Sequence, residues 1–313
     1  MSPVPAAITK EIAGLRKAVR AAVPARTGAN LLIGSWNLRA LGDLTEKWNA
    51  GPKDSPKRDW RSVALIAEIV SHFDVFAVQE VRRDTTALRF LMERLGPSWR
   101  FITSDVTEGD AGNGERLTFL YDSERVQPSG LVGEIVLPDA VDKPATQFAR
   151  SPYAASFTTR GVEFILTTVH IIWGKNAAAR VPELSAFAQW MRAWADRTDD
   201  WNQNLFVLGD FNIDRLDDPL YQAFISTGLF TPGDLSAVPR TIFDDDKSRH
   251  FYDQIAWFWD TDSPVLADVL TGLSYASAGS VDFVPHVFAG STKNALSWRI
   301  SDHFPLWAEF HVD

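Results

Sequence analysis

Apolar residues in this chain come in short runs that stop abruptly at polar groups. Leu31-Leu32-Ile33-Gly34-Ser35-Trp36 ends at Asn37, and Phe73 to Val78 ends at Gln79-Glu80. Phe164 to Val169 ends at His170, and Leu205-Phe206-Val207-Leu208 ends at Gly209-Asp210-Phe211-Asn212. Ser301-Asp302-His303 precedes the last run, Leu306 to His311. Runs this short and rich in β-branched and aromatic residues predict strands buried on both faces. Further strands are predicted at Phe101–Ser104, Leu117–Tyr121, Gly130–Leu137, Tyr153–Thr159, Val162–Val169 and Gln254–Phe258, with Thr159-Arg160-Gly161 as a hairpin turn.

Helical spacing interleaves with these strands. Ile8, Ile12, Leu15 and Val19 recur on one face of residues 8–22, with Lys10, Glu11, Arg16, Lys17 and Arg20 between them. That helix either packs on the following domain or serves a partner or second copy. Arg61–Ser71, Thr85–Leu95 (stopped by Gly96-Pro97) and Pro182–Arg197 are the other helices. The chain divides into an N-terminal amphipathic helix and linker at 1–29 and one large domain at 30–313. Strands outnumber helices and hairpins mix with crossovers, so the fold class is α+β. Two polar stretches, Asp43–Asp59 and Asp105–Glu115, adjoin run-ends and are candidate substrate loops.

Composition narrows the function. With 45% hydrophobic residues, 20 Phe and 12 Trp, the 313-residue chain can bury a large core. It has no cysteine, which removes disulfides, thiolate metal sites and cysteine nucleophiles together. Met1 to Ala7 carries no signal-peptide pattern and no run is long enough to span a membrane, so the expected location is cytoplasmic. A net charge of −9 argues against a protein that coats nucleic acid, but not against an enzyme with a local basic patch.

Magnesium takes hard oxygen ligands and keeps several waters, so one or two carboxylates and an amide suffice to hold it. Glu80, Asn37 and Asp302 offer such groups, and Asp210 and Asn212, two apart in extended chain, face the same way. His170 and His303 add two imidazoles. Hydrolysing a phosphate ester requires deprotonated water, neutralised phosphoryl oxygens and a protonated leaving oxygen, and two imidazoles with a cation cover all three.

Asn37, Gln79-Glu80, His170, Gly209-Asp210-Phe211-Asn212 and Ser301-Asp302-His303 stand in an order that resembles the endonuclease/exonuclease/phosphatase superfamily. The likeness spans about residues 30–313. It is strongest to the deoxyribonuclease I branch, through Ser35–Gly42, Gln79–Arg82, Glu115–Tyr121, Phe148–Tyr153 and Tyr252–Ile255. It implies a four-layer α/β/β/α sandwich of two packed mixed sheets with outer helices, and a Mg²⁺-dependent phosphodiesterase in which Mn²⁺ substitutes. Carried over, Glu80 and Asn37 hold the cation with Asp302, while Asp210 and Asn212 complete the metal and phosphate environment. His170, oriented by Glu115, and His303, oriented by Asp302 or Asp253, form the acid–base pair. Arg39, Arg82, Arg116 and Arg150 meet phosphates or groove edges. DNA is the implied substrate. A sphingomyelinase-like or other small phosphoester hydrolase is the alternative, and a non-catalytic binding module is a third reading. Asn113 stands two residues before Glu115, where the branch usually has tyrosine, and the Asp43–Asp59 loop is longer than in the branch.

Overall fold

In the computed structural model the described residues are 2–313 except 140–145, 198, 202–203, 246–247, 261–266 and 269. The chain runs through α1 (Ala6–Ala22), β1 (Asn30–Leu41), α2 (Trp60–Val70), β2 (Val75–Arg82), α3 (Thr86–Leu95) and β3 (Trp99–Thr103). It continues through α4 (Gly109–Gly112), β4 (Glu115–Asp122), β5 (Gln127–Glu134), β6 (Tyr153–Thr159), β7 (Val162–His170) and α5 (Ala177–Ala195). Next come β8 (Leu205–Asp210), α6 (Pro219–Ile225), β9 (Leu229–Phe230), β10 (Asp253–Asp260) and β11 (Ala267–Asp268). The last elements are β12 (Leu273–Ser280), α7 (Lys293–Arg299) and β13 (Leu306–Val312).

The strands form two mixed sheets, ordered β12-β13-β1-β2-β4-β3 and β11-β10-β8-β7-β6-β5, with β9 beside β10. The double burial expected of the apolar runs is visible residue by residue. Leu31 and Ile33 of β1 face the second sheet, whereas Leu32 and Trp36 face the helices α1, α2 and α3. In β7, Phe164 and Leu166 fill the inter-sheet core, and Ile165 and Val169 pack under α5 and α6. β8 divides its residues in the same way, Phe206 and Leu208 inward, Leu205 and Val207 outward. Alternation at period two therefore assembles the four layers, helices outside and two sheets within.

Several expectations shift. The fifth strand is Gln127–Glu134 rather than Gly130–Leu137. α5 starts five residues before Pro182, because the Asn176 side chain caps it by accepting from the Ala179 N–H (3.1 Å). β12 and the helices α4, α6 and α7 were not read from the sequence. β12 has half-buried side chains at Ser274, Tyr275, Ala276, Ser277 and Ala278, so it lacks a clear apolar signal. The N-terminal helix packs on the domain: Leu15, Val19 and Val23 are fully or almost fully buried with α2 residues in the outer core. Among the described residues no helix is long and apolar enough to cross a membrane.

Topology explains why chemistry gathers at one edge. β1 is parallel to β2, and β7 to β8, so their C-terminal ends leave each sheet on the same side. β4, β10 and β13 run antiparallel to these strands and enter where the others leave. Asn37, Glu80, His170 and Asp210 thus meet Glu115, Asp253 and the Ser301–His303 segment at a single rim.

Candidate active site

The strand exits at this rim depart from regular pairing in ways that re-aim side chains. Glu80 has φ +62° and lies in a register break between Val78 and Val81 on the β2–β4 ladder, a bulge that turns its carboxylate off the sheet face. Arg39, Ala40 and Asn212, at the exits of β1 and β8, also have positive φ. Such conformations cost energy in non-glycine residues and persist where the surroundings hold them. Gly209 is required: its φ is +135°, and a Cβ there would lie 2.3 Å from the Val169 carbonyl oxygen. The two sheets are stitched beneath the site by Gln79, whose Nε2 donates to Ser35 Oγ (3.2 Å) and Thr168 Oγ1 (2.9 Å). The Ser301 hydroxyl donates to the Asn37 carbonyl (2.5 Å) and accepts from the His303 N–H (3.0 Å), fixing the turn that presents Asp302 and His303.

Two imidazole–carboxylate pairs converge on one acid. His170 Nδ1 lies 2.8 Å from Glu115 Oε2, and His303 Nδ1 lies 2.6 Å from Asp253 Oδ2. Their Nε2 atoms lie 3.6 and 3.8 Å from the same oxygen, Asp210 Oδ2. The partner of His303 is therefore Asp253, fifty residues away, while Asp302 turns to Arg39 Nη1 (2.8 Å). Burial works against charge on His303, but Asp253 and Asp210 outweigh it and hold its pKa well above the ordinary imidazole value. His170 is raised in the same sense, its burial overcome by the Glu115 hydrogen bond together with the charges of Asp210 and Glu115. Burial would raise Asp210, yet both imidazoles and Asn37 Nδ2 keep its pKa below the usual carboxylate value. Burial also opposes the Glu115 charge, and its bond to His170 keeps that group low.

The pocket these residues line has a volume of about 430 Å³ and includes Asn37, Glu80, Glu115, Arg150, Asp210, Asn212, Asp302 and His303. Asn37 Nδ2 lies 3.1 Å from Glu80 Oε1 and 3.0 Å from Asp210 Oδ2, so an amide and two carboxylates share one corner. With Glu115 and Asp253 paired to the imidazoles, the Glu80 and Asp210 carboxylates at that corner, and Asp302, offer the hard oxygen donors that suit Mg²⁺ or Mn²⁺, while the Asn37 side-chain oxygen accepts from the Arg39 N–H (2.9 Å). Clusters able to hold a cation are also evident from spacing: Glu80, Glu115 and His170 bring one donor atom each within 4.8 Å of the others, as do Asp210, Asp253 and His303. A larger apolar groove of about 760 Å³ beside α5 is lined, among the described residues, by neither histidine nor aspartate.

The arginines separate. Arg150 is buried, with Nε 2.7 Å from Glu115 Oε2 and Nη1 donating to the His170 carbonyl (3.3 Å). Arg82 lies between Glu80 (3.4 Å) and Glu115 (3.5 Å). Arg39 lines an adjoining cavity of about 370 Å³. Arg116 turns to the Ser104 carbonyl (2.9 Å) and toward Asp105 (3.6 Å), and lines neither cavity. Of the two candidate loops, Asp105–Glu115 contributes Asn113 to the pocket, and its Nδ2 donates to Glu115 Oε1 (2.6 Å). Sequence reasoning missed Trp173, Thr241, Phe243 and His250, which also line the pocket. Only Trp173, three residues past His170, carried a signal.

A family model described as the Endonuclease/Exonuclease/phosphatase family matches residues 34–303. A curated protein named Deoxyribonuclease, from Thioalkalivibrio sp. (strain K90mix), is 32% identical over 196 residues, covering 61% of this chain and 48% of that protein. The chain thus spans about half the length of the curated relative it matches. A solved endonuclease/exonuclease/phosphatase family protein from Bacteroides thetaiotaomicron has a TM-score of 0.60 at 21% identity, covering 91% of this chain and 98% of its own. A mannosyl-6-phosphatase from the same species has a TM-score of 0.58 at 20% identity, covering 90% and 99%. D. rerio TDP2 complexed with a single strand DNA product has a TM-score of 0.57 at 16% identity, covering 90% and 98%. At these identities the likeness to solved structures shows the fold. On the match over 34–303, the chain belongs to the endonuclease/exonuclease/phosphatase family.

Proposed function

We propose that this protein is a Mg²⁺-dependent phosphodiesterase that cuts DNA as an endonuclease. The convergence of His170 Nε2 and His303 Nε2 on one oxygen of Asp210 carries the reading. Each imidazole has its Nδ1 committed to a carboxylate, which fixes the ring and leaves Nε2 for proton transfer. An ionised Asp210 between the rings favours a proton on one of them and can hold water near the other. One ring then takes a proton from water while the other delivers one to the leaving oxygen, a division of labour general acid–base hydrolysis needs. Glu80, Asn37, Asp210 and Asp302 would hold the cation, with Mn²⁺ able to substitute. When bound, the cation neutralises charge developing on the phosphoryl oxygens. Arg150, anchored on Glu115, and Arg39, anchored on Asp302, add positive charge beside the pocket. The curated relative's name and the DNA product bound to TDP2 support nucleic acid as the substrate.

The test is incubation of supercoiled and heat-denatured plasmid with Mg²⁺, beside EDTA. Cleavage that EDTA abolishes is the expected result. Plasmid left whole in both forms, with turnover of a sugar phosphate instead, would favour the small-phosphoester reading that the mannosyl-6-phosphatase likeness keeps in view.

A further inference from the structure

Three exposed aromatic rings stand at the pocket and at the cavity that Arg39 and Asp302 connect to it, and the acid–base chemistry uses none of them. Trp173 (53% exposed) and Phe243 (49%) line the catalytic pocket, and Trp298 (49%) lines the adjoining cavity with Arg39. Each is tied to a different functional strand end. Trp173 follows His170 by three residues; its ring meets Tyr252 edge-on at 5.7 Å, and the Arg180 guanidinium lies 4.3 Å from its centre. Arg180 is itself buried and donates to the Trp173 carbonyl (2.7 Å). Phe243 sits in a turn where Thr241 pairs with His303 and the Ile242 N–H donates to the Asp302 carbonyl (2.8 Å). Trp298 lies under the Arg39 guanidinium at 4.0 Å, and Arg39 continues to Asp302.

Large rings held rigidly in solvent mark a recognition surface. What they can recognise follows from their shape. A duplex offers phosphates and base edges, with its base faces already stacked on one another, whereas an unpaired base offers a face to any aromatic platform. The Arg39 guanidinium, partly exposed and lying over Trp298, supplies positive charge beside the rings where a single-stranded backbone would pass. The net charge of −9 gives little general attraction for the denser phosphates of a duplex.

We infer that Trp173, Phe243 and Trp298 are base-stacking platforms around the scissile phosphate, so the preferred substrate is DNA with unpaired bases rather than intact duplex. The inference rests on the nuclease reading above.

The test measures kcat and KM with Mg²⁺ on an end-labelled single-stranded oligonucleotide, the same strand annealed to its complement, and a strand of tetrahydrofuran abasic units. The single strand is expected to exceed the duplex in kcat/KM by about tenfold or more, and the abasic strand to be a poor substrate. Trp173→Ala should lower kcat/KM on the single strand by about 5- to 100-fold, mostly through KM, and Trp173→Phe should restore most of it. Phe101→Ala, which alters a comparably exposed ring outside the pocket, leaves the rates unchanged. Duplex cut as fast as single strand, or parental KM in Trp173→Ala, Phe243→Ala and Trp298→Ala alike, would overturn the stacking role while leaving the nuclease standing. A parent enzyme that cuts no DNA yet hydrolyses a phosphomonoester would overturn both.

Discussion

At the scale of single residues, the site is a set of buried charges whose roles are separated by their partners. Glu115 and Asp253 are paired with imidazoles, so the proposed cation would fall to the corner where Glu80, Asn37 and Asp210 meet. Glu80 bonds neither imidazole directly; it accepts from Asn37 Nδ2, the Ala40 N–H (2.9 Å) and Arg82 Nη2 (3.4 Å). Glu80→Ala should therefore shift the Mg²⁺ midpoint for activity upward by about tenfold or more, the scale on which groups around a metal affect its binding. An unchanged Mg²⁺ titration would take Glu80 out of the cation site. Much at this scale was legible in the sequence, because an apolar run that stops at Asn37, Glu80, His170 or Asp210 announces a side chain presented at a sheet edge. The partner of His303 was not. Asp302 is its neighbour in sequence, but the turn fixed by Ser301 sends that carboxylate to Arg39 and leaves the ring to Asp253. The arginines were legible only as candidates, since a long flexible side chain can reach several partners and sequence does not choose among them.

At the scale of elements, the loops are pinned by buried polar groups that no periodicity reveals. Arg58 ends the Asp43–Asp59 loop fully sequestered, donating to the carbonyls of Leu38, Arg39, Ala40 and Ile300 at 2.7–2.9 Å. Burial pushes its pKa down to about 10, so it stays charged at neutral pH. One guanidinium thereby ties the exit of β1 to the residue before Ser301, and the loop acts as a brace as well as a candidate substrate contact. The N-terminal linker is held similarly: Arg26 bonds Asp74 (2.9 Å) and Asp122 (2.5 Å). Burial would raise Asp122, but the hydrogen bonds from Arg26, the Glu124 N–H and Ser98, with the Arg26 charge, together outweigh it, and its folded pKa lies below the ordinary value. A depressed carboxylate contributes stability that is present above its unfolded pKa and lost as pH falls through the folded one. Asp122→Asn should therefore lower Tm at neutral pH by about 2 °C or more, with the gap to the parent closing below about pH 4. A variant with the parental Tm at neutral pH would show that the Arg26–Asp122 pair adds nothing to folding. The amphipathic pattern of α1 was legible and its docking was not, since four apolar positions at helical spacing serve a core and a partner equally well.

At the scale of the whole molecule, neither sheet holds the chemistry alone. His303, Asn37, Glu80 and Glu115 come with the first sheet, and His170, Asp210 and Asp253 with the second. The inter-sheet core, with Phe119, Phe157, Phe164, Phe206, Trp257 and Phe310 packed ring against ring, sets the distance across which the two imidazoles face Asp210. The layered class was readable from strands buried on both faces, whereas β12 and α7 were hidden by half-polar composition and short length. Substrate choice was the least legible feature, because it lies in exposed rings and loops that a core pattern does not constrain. The central claim is that two histidines, one from each sheet, act as one acid–base unit on a phosphodiester. The most direct measurement is the rate of Mg²⁺-dependent DNA cleavage by His170→Ala, His303→Ala and the double variant. Each single change is expected to cost about 10²-fold or more, and the double variant little more than the worse single, as for groups that act together. Near-parental cleavage by either single variant would contradict the account.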